Sequence, residues 1–190
     1  MATGVIVDAN VLFSRTLRDW LFLLRNETGG GMFTVNATED IIAETLYRLR
    51  RSRPAAPGHL IASVHDLVVE QLDDRISDYQ IDDSWPGTDP NDAHVHAAAV
   101  ASGAGVVLTS DSGFTAIDPS GLPYEVHTPD SFFLLVDDSA PTKVRAVTAA
   151  QLRYWLAKDG EADLPARLRN AGCPYFAERV RTHLQALKTE

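Results

Sequence analysis

The stretch "GVIVDAN", residues 4–10, frames the reading of this chain. Val5, Ile6 and Val7 form an apolar run with no polar alternation. Such a run reads as a strand buried on both faces, the kind found at the centre of a parallel sheet. It ends on Asp8, and two uses of that aspartate fit the residues. Its side chain can close a turn by accepting backbone N–H bonds. It can also stand at the carboxyl end of a strand, where open α/β sheets bind their ligands.

A second stretch repeats the pattern. "VVLTSD", residues 106–111, is another buried apolar run that ends on an aspartate, Asp111. Between the two lie alternating helical and extended signals. Ser14 is placed to cap a helix through about residue 25, with Leu17, Trp20, Leu21 and Leu24 on one face. "MFTV" (32–35) reads as a second strand, and Asn36 with Glu39 as a capping box opening a helix through about residue 51. A further helix is expected over about 58–73, with Leu60, Val64, Leu67 and Val68 on one side. Asp89 and Pro90 read as the cap and first residue of an Ala-rich helix that ends near Gly103. "YEVHT" (124–128) reads as a strand, followed by a helix from Pro129 to about Val136. Alternation of this kind predicts an α/β fold with a mostly parallel sheet and helices on both faces. The remainder is helical, over about 142–158 and 174–188, with a short helix in "DLPARLRNAG" between them. The expected division is an α/β domain over residues 1–138 and a helical C-terminal extension over 139–190.

Composition narrows the function. The 190 residues include one cysteine, Cys173, so neither an intrachain disulfide framework nor a Cys-rich zinc site is available. No apolar stretch reaches the roughly 20 residues that span a bilayer, and the first residues lack the pattern of a secretory signal, so a cytoplasmic protein with no membrane partner is expected. The net charge of −9 is unevenly spread: residues 1–138 carry 8 Lys/Arg against 21 Asp/Glu, and residues 139–190 carry 9 against 5. An acidic body of that kind is not a simple electrostatic nucleic-acid binder. It can instead gather divalent cations that bridge to phosphate. The basic extension can meet a polyanion or merely solubilise the chain, and both uses fit it.

Four carboxylates stand out by position. Asp8 and Asp111 end buried strands, and right-handed crossovers bring such ends to one edge of the sheet. Asp92 falls in the first turn of the Ala-rich helix, and Glu44 lies inside an otherwise apolar helix. Each has an ordinary structural use: Glu44 can pair with Arg48, Asp92 suits a helix N-terminus, and Asp111 suits a turn. Their joint placement at strand ends and helix starts points beyond those uses. Converging carboxylates repel, and a hard divalent cation relieves the repulsion; an all-oxygen set suits Mg²⁺ or Mn²⁺ rather than zinc. Such a cation activates water and stabilises charge on a phosphodiester without a protein nucleophile.

The blocks "VIVDANVLFS", "EDIIAETLYRL", "DPNDAHVHAAAVASGAGVVLTSD" followed by "SGF", and "YEVHTPDSFFLL" together resemble the PIN-domain ribonuclease family, and in particular the VapC-like toxins of bacterial toxin–antitoxin pairs. The resemblance covers roughly residues 4–136. It implies a three-layer α/β/α fold and a Mg²⁺- or Mn²⁺-dependent endoribonuclease leaving a 5′-phosphate and a 3′-hydroxyl. It places the catalytic and metal-binding acids on Asp8, Glu44, Asp92 and Asp111. Asn10 and Thr109 fall where the family has supporting polar residues. The implied partners are an RNA substrate, a cognate antitoxin that would insert a basic segment among the acids, and a second copy of the chain. Many members carry a further acid after the fourth block, which here would be the more distant Asp118. The extension lies outside the common core.

Other residues have plainer readings. His94 and His96 point to different helix faces, so the pair does not suggest one shared ion, and His94 fits a supporting role beside Asp92. Trp20 and Trp155 lie on apolar helix faces and read as core, whereas Trp85, in the loop before Asp92, is the tryptophan to test as an RNA contact. Arg15 and Arg18 can touch phosphate or sit on a solvated helix face. Ser14 and Ser110 lack a His and acid at triad spacing. An aspartyl phosphatase would want a second Asp at position 10, where this chain has Asn10. The remaining alternative is a catalytically silent PIN-like regulator that binds RNA or protein.

Overall fold

The computed structural model describes residues 2–82 and 84–188. The elements follow in the order β1 (Thr3–Val7), α1 (Ala9–Phe13), α2 (Arg15–Glu27), β2 (Phe33–Ala37), α3 (Glu39–Ser52), α4 (Gly58–Gln71), β3 (Asp74–Arg75), α5 (Ala93–Ser102), β4 (Val106–Leu108), α6 (Ser112–Thr115), β5 (Glu125–His127), α7 (Pro129–Ser139), α8 (Pro141–Asp159), α9 (Leu164–Asn170) and α10 (Pro174–Leu187). Short 3₁₀ turns at Pro90–Asp92 and Pro119–Gly121 precede α5 and β5.

The five strands form one parallel sheet in the order β3-β2-β1-β4-β5. β1 is the central strand: Val5 pairs with Val35 on one side and Val106 on the other. Val5, Ile6 and Val7 are fully buried, as a strand covered on both faces requires. The chain leaves β1 for β2 and β3 on one side, then returns to place β4 and β5 on the other. With right-handed crossovers, that reversal puts α2 and α5 on opposite faces. It also makes the carboxyl ends of β1 and β4 the topological switch point, where a crevice opens. The result is the expected three-layer α/β/α architecture with further C-terminal helices.

Local chemistry explains most boundaries and corrects a few. Ser14 caps α2, accepting from the Leu17 amide at 3.4 Å, but the chain between Asp8 and Ser14 already forms the separate helix α1. The cap of α3 is Thr38, whose hydroxyl accepts from Ile41 at 3.1 Å, and not Asn36; Asn36 instead stays in β2, paired with Ile6. Asp89 caps a separate 3₁₀ turn at Pro90–Asp92 and not the Ala-rich helix itself, which starts at Ala93 with Asp92 at its cap position, and Gly103 closes α5 at φ 63°, a left-handed conformation suited to glycine. The fourth strand stops at Leu108, earlier than the apolar run implied, because Thr109 and Asp111 turn their side chains to local hydrogen bonds. The helix over 58–71 is more exposed than its periodicity implied: only Val68 is fully enclosed, and Leu60 and Leu67 face solvent.

The C-terminal helices share the core of the α/β body. Phe176 of α10 packs edge-on against Trp20 at 5.1 Å and meets Phe133 at 5.2 Å. Burying a side chain of that size contributes about 2–3 kcal/mol. Asp130 in α7 accepts from the first amides of α10, Phe176 N at 2.8 Å and Tyr175 N at 3.2 Å, a carboxylate at a helix N-terminus. The buried Asp137 meets His183 Nε2 at 2.6 Å and the Arg179 guanidinium at 3.4 Å, tying the other end of α10 to α7.

Candidate active site

Asp8 closes β1 and is almost fully buried. Its Oδ2 accepts from the Thr109 hydroxyl at 2.6 Å and from the Asn10 amide. Asn10 Nδ2 also reaches Thr109 Oγ1 at 3.0 Å, while Asn10 Oδ1 accepts from the Ser110 amide at 2.9 Å. Thr109 Oγ1 accepts in turn from the Asp111 amide at 2.9 Å. A single network thus stitches the end of β1 to the end of β4 and fixes where Asp8 and Asp111 stand. Burial raises the Asp8 carboxyl above its usual range; the Glu44 charge adds to this, while the Thr109 hydroxyl and Arg48 oppose it.

Asp111 caps α6, its Oδ1 accepting from Gly113 N at 2.6 Å. Gly113 matters for space. A Cβ there would stand 2.8 Å from Asp111 Oδ1 and 3.4 Å from Asp92 Oδ2, so the two carboxylates border the same small volume. Asp92 Oδ2 is buried and has no hydrogen-bond partner. Its carboxyl is pushed up to about 7, first by burial and then by the charges of Asp111, Asp8, Asp89 and Glu44. These acids therefore lie within electrostatic reach of one another, as sheet-end reasoning implied.

Glu44 reaches the group from α3. Arg48, one turn on, holds its Oε1 with Nε at 2.8 Å and Nη2 at 2.6 Å, and His94 Nε2 lies 3.9 Å from its Oε2. The sequence-level pairing with Arg48 and the placement beside the acids are both realised. His94 Nδ1 is buried without a partner, whereas His96 is committed elsewhere, to the Tyr124 hydroxyl at 2.6 Å and Ser84 Oγ at 3.2 Å.

An open cleft of about 840 Å³ joins these elements. Glu44, Asp92, His94 and Asp111 line it together with Asp40, Tyr47, Arg48, Arg51 and Asp89. The arginines of α3 and the exposed ring of Tyr47 thus face the acids across one opening. Sequence reasoning missed this wall, because the "YRLRR" run reads as an ordinary solvated helix face. Asp118 is not among the lining residues. It is exposed and caps the Pro119–Gly121 turn, accepting from Ser120 N at 3.0 Å. Trp85 is half-buried over Phe114 and His96, and its indole N–H donates to Asp89 O at 2.8 Å, so it pins the loop leading into Asp92. Gly87 is required beneath it, since a Cβ there would meet the indole at 2.2 Å.

The donors gathered here are oxygen atoms, the set that suits a hard divalent cation. The unpartnered Asp92 Oδ2 is the oxygen most in need of one. Among the described residues, no three His, Cys, Asp or Glu side chains stand close enough to chelate a single ion in this arrangement. Arg48 draws Glu44 aside, and Asn10 with Thr109 holds Asp8 Oδ2. Among the same residues no helix is long and apolar enough to cross a membrane.

Parallel strands, a switch point at β1 and β4, and an acidic cleft at their carboxyl ends define an α/β protein with a carboxylate-lined site. A family model described as the PIN domain matches residues 4–113, more than half of the chain, and the chain belongs to the PIN domain family. PIN domains are typically nucleases and generally use divalent metals. No curated protein matches the chain.

Proposed function

We propose that this protein is a Mg²⁺- or Mn²⁺-dependent endoribonuclease whose working residues are Asp8, Glu44, Asp92 and Asp111. The observation that carries the reading is the buried, unpartnered Asp92 Oδ2, with its carboxyl pushed up to about 7, first by burial and then by the charges of Asp111, Asp8, Asp89 and Glu44. Uncompensated carboxylates at a sheet's switch point are costly to stability and are kept for function.

Asp8, Asp92 and Asp111 would hold the cation, and Glu44 would join them on release from Arg48. When bound, the cation supplies charge neutralisation and Lewis-acid polarisation of the phosphodiester. The remaining work falls to the chain itself. Thr109 and Asn10 keep Asp8 oriented toward the other acids. Arg48 and Arg51, which line the cleft from α3 beside Glu44, would take the charge of a substrate phosphate.

The finer reading is a toxin of a toxin–antitoxin pair. It rests on the resemblance of the sequence blocks, with residues 1–138 as nuclease domain and 139–190 as an added helical part. Arg48 on Glu44 supports the expected mode of inhibition, since a partner's arginine inserted among these acids would neutralise them in the same way. Labelled RNA incubated with Mg²⁺ or Mn²⁺, with EDTA, and with the Asp8→Asn variant tests the proposal. Metal-dependent cutting by the wild type alone is expected. An intact, metal-binding protein that cuts no RNA would leave the silent binding protein as the better account.

A further inference from the structure

One stripe of α3 lines the acidic cleft: Asp40, Glu44, Tyr47, Arg48 and Arg51, at the three- and four-residue spacing that puts side chains on one helix face. Tyr47 stands roughly 5 Å along the axis from Glu44, and Arg51 about one further turn on. Arg48 is held by Glu44. Arg51, by contrast, makes no ion pair or side-chain hydrogen bond among the described residues, and neither does the Tyr47 hydroxyl.

The same cleft leaves two apolar side chains open. Tyr47 is 63% exposed, and Ile81, in the segment that leads to Asp89, is 60% exposed. Neither belongs to the hydrophobic core or to the side chains packed on it, whereas their neighbours Leu46 and Ile76 do. One exposed apolar residue is ordinary. Here two of the most exposed ones border a single opening, together with Asp92 and Asp111.

The acids and a cation between them act on the phosphodiester, and phosphate contacts are blind to the base attached. A base entering the cleft needs a partner of its own, and an open aromatic ring is the surface on which any base stacks. A guanidinium one turn further along takes a phosphate of the same strand. A base inside a duplex has both faces covered by its neighbours, so only an unpaired one can use the ring.

We infer that Tyr47, Ile81 and Arg51 form a nucleotide subsite beside the scissile bond, in which Tyr47 stacks on an unpaired base, Ile81 borders that base and Arg51 holds the adjoining phosphate. The inference rests on the nuclease reading for its ligand, and it deepens that reading by making single-stranded RNA the substrate.

The test compares two fluorescent oligomers of about six nucleotides by anisotropy: oligouridylate, and the same sugar–phosphate chain without bases. Binding is measured with Mg²⁺ in the Asp8→Asn background, so that nothing is cut. Oligouridylate should bind about tenfold more tightly than the abasic chain; Tyr47→Phe should keep that preference, and Tyr47→Ala should bring the two within about twofold of each other. Arg51→Gln should weaken both oligomers alike and lower the salt slope by roughly 0.7, the loss of one neutralised phosphate. Each preference is a ratio of two ligands on one protein, so a partly unfolded variant does not mimic the effect. Equal binding of the two oligomers before Tyr47 is changed would overturn the inference. A preference that survives Tyr47→Ala would do the same, as would Tyr47→Phe losing as much as Tyr47→Ala, or a salt slope unchanged by Arg51→Gln. Cleavage of a longer RNA by the wild type with Mg²⁺ reports separately on the nuclease reading. Cutting without the base preference sinks the subsite alone, and base-dependent binding without cutting supports the subsite and sinks the nuclease.

Discussion

Replacing Asp92 by Asn should stabilise the protein above pH 7 while abolishing its cleavage of RNA. In the folded protein the Asp92 carboxyl is pushed from 3.8 up to about 7, chiefly by burial and then by neighbouring acids. At roughly 1.4 kcal/mol for each tenfold change in proton affinity, the ceiling on the cost of ionising it is about 4 kcal/mol. The group is only half-buried, and solvent screening lowers that ceiling to about 1.5–2 kcal/mol. Losing an acid from a helix start gives back about 0.5 kcal/mol. The net gain is about 1 kcal/mol, or about 2–4 °C in melting temperature for a chain of this size. The sign follows from linkage. A carboxyl raised in the folded state binds protons more tightly there than in the unfolded chain, so its contribution falls as pH rises from about 4 to about 7 and then levels off. The gain from Asn should therefore be absent near pH 4, grow through that window and be full at pH 8. Melting curves of both proteins in EDTA, from pH 4 to pH 8, check this. A difference that does not change with pH, or a variant less stable at pH 8, would refute the electrostatic reasoning.

Thr109→Val should remove the hydroxyl that donates to Asp8 and accepts from the Asp111 amide, costing about 1–3 kcal/mol in chemical denaturation and lowering cleavage, with Thr109→Ser recovering most of both. Gly113→Ala should drive a methyl group against Asp111 Oδ1 and Asp92 Oδ2; steady-state kinetics should show cleavage at least about tenfold slower, while melting shifts by only a few degrees. His183→Ala should leave the buried Asp137 without its imidazole partner and destabilise the packing of α10 on α7 by about 3 kcal/mol, measured by urea unfolding.

The fold was legible where the chain buries whole strands. Val5, Ile6 and Val7, and again Val106, Val107 and Leu108, carry no alternation because both faces are covered, and that alone marks a parallel sheet. Elements fixed by tertiary contact were not legible. β3 is two residues long, held by pairing to Asn36 and Ala37, and no local signal marks it. Thr38 wins the cap of α3 because Asn36 is committed to pairing with Ile6, which the local sequence does not reveal. In the cleft, Asp8, Asp92 and Asp111 could be placed from strand ends and a helix start. The grip of Arg48 on Glu44 was visible as an i, i+4 pair, but the facing wall of Tyr47 and Arg51 was not, since it depends on how α3 meets the loop at Asp89. The packing of Trp85 on Phe114 and His96 was not legible either, because those rings reach it from elements distant in sequence.

The most direct measurement is RNA cleavage in ¹⁸O-labelled water with Mg²⁺ or Mn²⁺ present, followed by mass analysis of the product ends. Acids that bring a divalent cation and a water to the phosphodiester should give a 5′-phosphate carrying the label and a 3′-hydroxyl, with no product when Asp8→Asn replaces the wild type. A 2′,3′-cyclic phosphate end, or unlabelled 5′-phosphate, would contradict the account, because the attacking oxygen would then not have come from water held in the acidic cleft.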